Sequence, residues 1–116
     1  MGRRDTGFAT ATRRVGDILI VSLDGELDMA TAPEFEREIE RAQGGSAIIV
    51  DLRGLTFIDS TGIRALMRVY SAGQNGHSTV SFIRGPSRVQ RVLELAGVEP
   101  LLVWSEPPAE FATDAV

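Results

Sequence analysis

Cysteine is absent from the 116-residue chain, which removes disulfide frameworks, thiolate zinc sites and cysteine nucleophiles together. Lysine is absent as well, so all twelve basic residues are arginine. The phosphate-cradling P-loop lysine, the Schiff-base lysine and the kinase lysine therefore have no counterpart here. Histidine occurs once, as His77 in a Gly-rich stretch. With no cysteine and no second imidazole to join it, His77 reads as a solvated loop residue and not as a ligand or base. No apolar run approaches the roughly 20 residues of a membrane span, and Met1 to Val15 lacks the apolar stretch of a signal peptide. The expected address is the cytoplasm, with no membrane partner. Positive charge is in the minority, 12 basic against 16 acidic residues for a net charge of −4. Binding nucleic acid relies on clustered positive charge, so a protein partner is the better expectation.

What remains is an ordinary globular composition, 43% hydrophobic and 24% charged, in a length that suits one core and one domain. The expected division is an N-terminal arm over residues 1–7, a domain over 8–106 and a polar tail over 107–116 with at most one short helix, beginning at Pro107-Pro108. Phe8 to Thr12 alternates weakly, and Asp17 to Leu23 is a β-branched run; the short link between them predicts a hairpin. Asp24-Gly25-Glu26-Leu27-Asp28 breaks the pattern. Thr31-Ala32-Pro33-Glu34 has the spacing of a capping box with proline in the first turn, so a helix is expected from about Ala32 to Gln43, with Phe35, Ile39 and Ala42 inward and Gly44-Gly45 ending it. Ala47 to Leu52 reads as a central strand covered on both faces, and Arg53 to Ile58 as a loop.

A second helix follows Asp59, with Ile63, Leu66, Met67 and Tyr70 on its inner face, Arg64, Arg68 and Ser71 outside, and Gly73 and Gly76 closing it. Thr79 to Ile83 is a further strand. Pro86 to Ala96 is a third helix with Val89, Val92, Leu93 and Ala96 inward and Gly97 as its stop, and Leu101 to Trp104 a last strand. The expected architecture is α/β: a small, mixed, mostly parallel sheet with an antiparallel edge hairpin and helices packed on it.

Chemistry concentrates in Asp51-Leu52-Arg53-Gly54-Leu55-Thr56-Phe57-Ile58-Asp59-Ser60-Thr61-Gly62-Ile63, where a buried strand leads into a helix that begins at two adjacent hydroxyls. Asp59, Ser60 and Thr61 can simply cap that helix by accepting bonds from free backbone N–H groups. One cap suffices, however, and Gly62 is a poor helix former in the first turn. Gly62 serves either access to the Ser60 hydroxyl or tight packing against the sheet, and spacing does not choose. Asp51 sits where a phospho-accepting aspartate would, but a receiver domain also needs an acidic pair and a lysine. Trp104 and Tyr70 read as packing residues. Arg64 with Arg68 forms a solvated stripe or a rim contact for an acidic partner surface.

Gly25-Glu26-Leu27-Asp28, the Phe57 to Ile63 stretch and the Ser87-Arg88-Val89 to Ala96-Gly97 helix together resemble the STAS-domain anti-sigma-factor antagonists, over about Phe8 to Trp104. The resemblance implies a SpoIIAA-like fold and a partner switch. In such a switch the unphosphorylated antagonist binds an anti-sigma factor that is itself a serine kinase, releasing the sigma factor; phosphorylation ends the binding and a serine phosphatase resets it. Carried onto this sequence, Ser60 is the phosphate acceptor and Thr61 a second candidate, while Asp28, Asp59, Ser60, Thr61, Gly62 and Arg64 meet the partner. No catalytic residue, metal or cofactor is implied, and the chain is expected not to be an enzyme. Two other roles are a regulatory or scaffold subunit of a transporter or signalling assembly, and a weak nucleotide hydrolase using an acidic loop for Mg²⁺, a reading without any Gly-rich lysine cradle behind it.

Overall fold

A two-residue turn at Gly16-Asp17 starts the fold by folding Phe8–Val15 (β1) back on Ile18–Leu27 (β2), with Val15 directly opposite Ile18. Gly16 supplies the positive φ of 62° that such a turn needs at its first central position, which is why the predicted hairpin closes there. The computed structural model describes residues 7–42, 47–76 and 78–108. After the hairpin come Ala32–Arg41 (α1), Ala47–Ile58 (β3), Ser60–Gln74 (α2), Thr79–Ile83 (β4), Ser87–Leu95 (α3) and a 3₁₀ turn over Glu99–Leu101. The sheet has the order β1-β2-β3-β4, with β1 antiparallel to β2 and the other neighbours parallel. Two parallel links, each crossing through one helix, place α1 and α2 over the same face.

That face carries the main core. Leu19, Val21 and Leu23 of β2, Ile48, Val50 and Leu52 of β3, and Val80 and Phe82 of β4 meet Phe35 and Ile39 of α1, Leu66 and Val69 of α2, and Val89 and Leu93 of α3. The intervening residues Ile20, Ile49 and Ile83 form a second, smaller cluster. The central strand is thus buried on both faces, as its unbroken apolar run predicts. Among the described residues no helix is long and apolar enough to cross a membrane.

The strands run further than their composition suggests. Residues expected to form a break (Asp24 to Leu27) and a loop (Arg53 to Ile58) instead extend β2 and β3 as a paired ladder ending at Leu27 beside Ile58, with register shifts at Ser22/Asp24 and Gly25/Glu26. Burial of Leu27, Leu55 and Ile58 and backbone pairing across the bulges outweigh the glycines and charges that punctuate the sequence. Gly73 does not end α2 but lies inside it, because a Cβ there would stand 2.4 Å from Val80 Cγ2; the glycine lets helix and strand approach. In α3, Ala96 is exposed and Val92 only half-buried. Gln90 turns inward instead and accepts a hydrogen bond from Gly85 N at 2.8 Å.

The last predicted strand is a 3₁₀ turn followed by a single parallel bridge between Trp104 and Phe82. Phe82 N donates to Val103 O and Ser105 N to Phe82 O, at 2.9 and 2.8 Å, while the Trp104 indole donates to Glu99 O at 2.9 Å. The side-chain anchor and Pro100 keep the segment from extending along β4. Residues 1–6 of the expected arm, Gly44-Gly45, His77 and residues 109–116 of the expected tail lie outside the described residues.

Phe35 is wholly buried and stands where α1 meets the sheet. Phe35→Ala is expected to destabilise the domain by about 3–5 kcal/mol, measured as a lower midpoint in urea unfolding with an unchanged slope.

Candidate functional site

Because Leu27 and Ile58 are register partners, β2 and β3 leave the sheet side by side, and Asp28 and Asp59 are the first residues past the edge. Asp59 N still donates to Leu27 O at 3.3 Å. The extended backbone of Asp59 makes it the N-cap of α2, and its carboxylate accepts from Gly62 N at 3.0 Å. Its carbonyl accepts from Ile63 N at 2.9 Å. Capping is thereby assigned to one residue.

Ser60 is then the first residue of α2, exposed, and among the described residues its hydroxyl has no hydrogen-bond partner. A serine needed as a cap would point its oxygen at a backbone N–H; here Asp59 has taken that place. Thr61 is half-buried, and its Oγ1 accepts from the exposed Arg64 guanidinium at 3.4 Å. The sequence left Gly62 open between access and packing, and the glycine is tightly packed. Gly62 is buried, and a Cβ on it would come within 2.4 Å of Leu27 O and 2.9 Å of Ile58 Cγ1. Gly62 therefore sets how closely the start of α2 approaches the ends of β2 and β3.

The other carboxylate is held by its own loop. Asp28 Oδ1 accepts from Ala30 N and Thr31 N at 3.0 and 3.2 Å. The capping box expected at Thr31 does not form: Thr31 occupies the N-cap of α1 without capping it. Its buried hydroxyl turns back, donating to Glu26 O at 2.7 Å and accepting from Asp28 N at 3.0 Å. The interior carbonyl of the bulged strand claims the hydroxyl, and Asp28 supplies the turn in its place.

Two exposed apolar side chains missed by the sequence reading belong to the same end of the sheet, Met29 at 74% exposure and Phe57 at 47%. Met29 follows Asp28, and Phe57 pairs with Glu26. Strict alternation would put Phe57 on the same face as the inward Leu55, and only the register shift between Leu55 and Phe57 turns it outward, opposite Ile58; reading 53–58 as a loop hid both. Asp24, Glu26 and Arg64 are exposed as well.

Other candidates are structural. Asp51 is buried and takes three hydrogen bonds from Arg53, from N, Nε and NH2, at 2.9–3.0 Å, which leaves it no freedom as a phosphate acceptor. Arg68 bridges helices, its Nε 2.7 Å from Glu36 Oε2. Tyr70, Phe82 and Trp104 form a ring sequence with centroids 6.5 and 5.9 Å apart, and Arg84 lies 4.9 Å over the indole. Among the described residues no group of three acidic, histidine or cysteine side chains is placed to hold a metal.

A family model described as the STAS domain matches residues 9–110. An anti-sigma-B factor antagonist of Staphylococcus aureus is 29% identical over 88 residues, covering 74% of this chain and 82% of that protein. The crystal structure of an anti-sigma factor antagonist from Mycobacterium paratuberculosis superposes with a TM-score of 0.78 at 25% identity, covering 97% of each chain. The Bacillus cell fate determinant SpoIIAA in its phosphorylated form shares the fold, with a TM-score of 0.66 at 22% identity over 92% of this chain and 98% of that one.

Three substitutions separate the roles of the helix start. Gly62→Ala is expected to cost about 1–3 kcal/mol through overpacking on Leu27 O, and Asp59→Ala about 1 kcal/mol through the lost cap. Ser60→Ala should stay within about 0.5 kcal/mol of the parent. Denaturant unfolding of the three variants checks the ranking.

Proposed function

The chain belongs to the STAS domain family, and we propose that within it the protein works as an anti-sigma-factor antagonist switched by phosphorylation of Ser60. The unphosphorylated form binds an anti-sigma factor that is a serine kinase, in the cytoplasm; the phosphorylated form does not, and a serine phosphatase restores it. Residues 8–106 form the working unit. One observation carries the reading: Ser60 is displayed at the first position of α2 while Asp59 does the capping. With the neighbouring Asp59 carboxylate engaged by Gly62 N and no hydrogen bond to the Ser60 hydroxyl among the described residues, this hydroxyl is suited to be a substrate for another protein's active site, not a nucleophile of its own. The antagonist named in Staphylococcus aureus supports the same role. Thr61 ranks second as acceptor, since it is half-buried and already bonded to Arg64.

Phosphate adds about −1.5 to −2 charges at neutral pH. In the free domain it stays in water and the fold tolerates it. Against a partner surface shaped for a hydroxyl, the group has to shed water beside Asp59 and Asp28, at a cost of several kcal/mol when no cation compensates. A penalty of roughly 3–4 kcal/mol weakens binding by hundreds-fold. Met29 and Phe57 are the apolar anchors of the docking face, and Asp28, Asp59, Ser60, Thr61 and Arg64 its polar part.

Titration calorimetry with the cognate anti-sigma factor tests this. Ser60→Ala should bind like the parent and resist phosphorylation, whereas Ser60→Asp should bind more weakly, by less than full phosphorylation does because aspartate carries less charge. Equal affinity of the phosphorylated and unphosphorylated forms would sink the mechanism. Met29→Ala and Phe57→Ala should each weaken binding by about 5- to 30-fold, or about 1–2 kcal/mol, without lowering the unfolding midpoint.

A further inference from the structure

Carboxylate partners hold Arg41 through Glu38, Arg53 through Asp51, Arg68 through Glu36 and Arg84 through Glu99. Arg64 has none among the described residues. Its guanidinium is folded back along α2 toward the helix start, where NH2 reaches Thr61 Oγ1 at 3.4 Å. Ser60 is the next residue, exposed like Arg64. Side chains at i and i+4 of a helix are surface neighbours, and an anion N-terminal to a cation is the favourable order. The same spacing makes a group built on Ser60 a surface neighbour of the Arg64 fork.

A phosphate on Ser60 would find one full positive charge on the neighbouring turn. Of the N–H groups at this helix end, that of Gly62 is already bonded to the Asp59 side chain and that of Ile63 to the Asp59 carbonyl, which leaves the partial charges of the Ser60 and Thr61 N–H groups beside the guanidinium. The carboxylates of Asp59 and Asp28 belong to the same end of the sheet and oppose the added charge. Arg68, one turn further along, is committed to Glu36 at 2.7 Å. Guanidinium matches phosphate in a bidentate geometry that single hydroxyls and amines do not offer.

We infer that Arg64 is a phosphate clamp: when Ser60 carries phosphate, the Arg64 guanidinium leaves Thr61 and pairs with it, and when Ser60 is a free hydroxyl the same guanidinium is presented to the partner. The inference rests on the proposed phosphorylation of Ser60 and adds its regulation. Phosphorylation then acts twice, by adding negative charge to the docking face and by withdrawing its nearest cation from the rim. Arg64 is a positioning residue in this scheme and takes no part in the transfer itself.

The test uses the full chain with phosphoserine installed at position 60 during synthesis, so that no kinase is required, and follows the phosphate through a pH titration by ³¹P NMR. Free phosphoserine loses its second proton near pH 6, and a paired cation favours the dianion. The second pKa is expected to be lower in the parent than in Arg64→Gln by about half a unit or more. Arg64→Lys should recover part of that difference, and Arg68→Gln should titrate like the parent. Titration of Arg64→Gln within about 0.2 unit of the parent, or an equal shift in Arg68→Gln, overturns the clamp, the second because it marks a diffuse charge effect. Should the phosphorylated chain still bind the anti-sigma factor at full affinity, the switch itself falls, while the titration continues to decide on Arg64.

Discussion

The carbonyl of Leu27 is the point on which this end of the molecule depends. It accepts from Asp59 N, which holds the end of β3 against the end of β2, and it faces Gly62 across a gap too small for a Cβ. Three elements therefore converge on one oxygen. A fixed separation between parallel strands, about 4.8 Å, sets Asp28 beside Asp59, and the absence of a side chain at Gly62 lets α2 start directly over the junction. Ser60 stands where it does because the helix has no freedom to begin elsewhere. The core beneath, with Leu27, Leu55 and Ile58 all buried, makes the junction rigid.

On that frame, structural and functional duties are divided among neighbours. Asp59 satisfies the helix start, Gly62 sets its distance from the sheet, and Ser60 is left outside the bonding scheme. A residue that supports nothing can change its charge without disturbing the fold. The same division appears at the facing loop, where Thr31 is buried in the service of β2 and Asp28 holds the turn, leaving Met29 exposed between them. Both loops thus display one side chain each, supported by neighbours that face inward.

Much of this was legible in the sequence because the relevant signals are local. Apolar periodicity placed β3, α1, α2 and β4, the glycine turn placed the hairpin, and the tract from Asp59 to Gly62 marked the helix start. What the sequence hid was decided by contacts between distant segments. Arg53 to Ile58 looks like a loop until Glu26 and Leu27 are known to pair with Phe57 and Ile58. Thr31 looks like a cap until the Glu26 carbonyl is seen to take its hydroxyl. Gly73 looks like a helix stop until Val80 is found against it. For Gly62, spacing offered access and packing equally, and only the position of the Leu27 carbonyl separates them.

The electrostatics of the proposed switch follow from where water is. Two unit charges about 4 Å apart interact by about 1 kcal/mol in bulk water and about 4 kcal/mol at an effective dielectric of about 20, and more as water is excluded. In the free domain, a phosphate on Ser60 would feel Asp59 and Asp28 on one side and Arg64 on the other, each weakly and with opposite sign. The fold has little reason to respond. Covering the same group with another protein multiplies every one of these terms several-fold and adds the cost of removing its hydration, and only the attraction to Arg64 works in its favour. A single arginine cannot offset two carboxylates and a desolvated dianion, so a charge that is nearly neutral to the fold becomes decisive for docking.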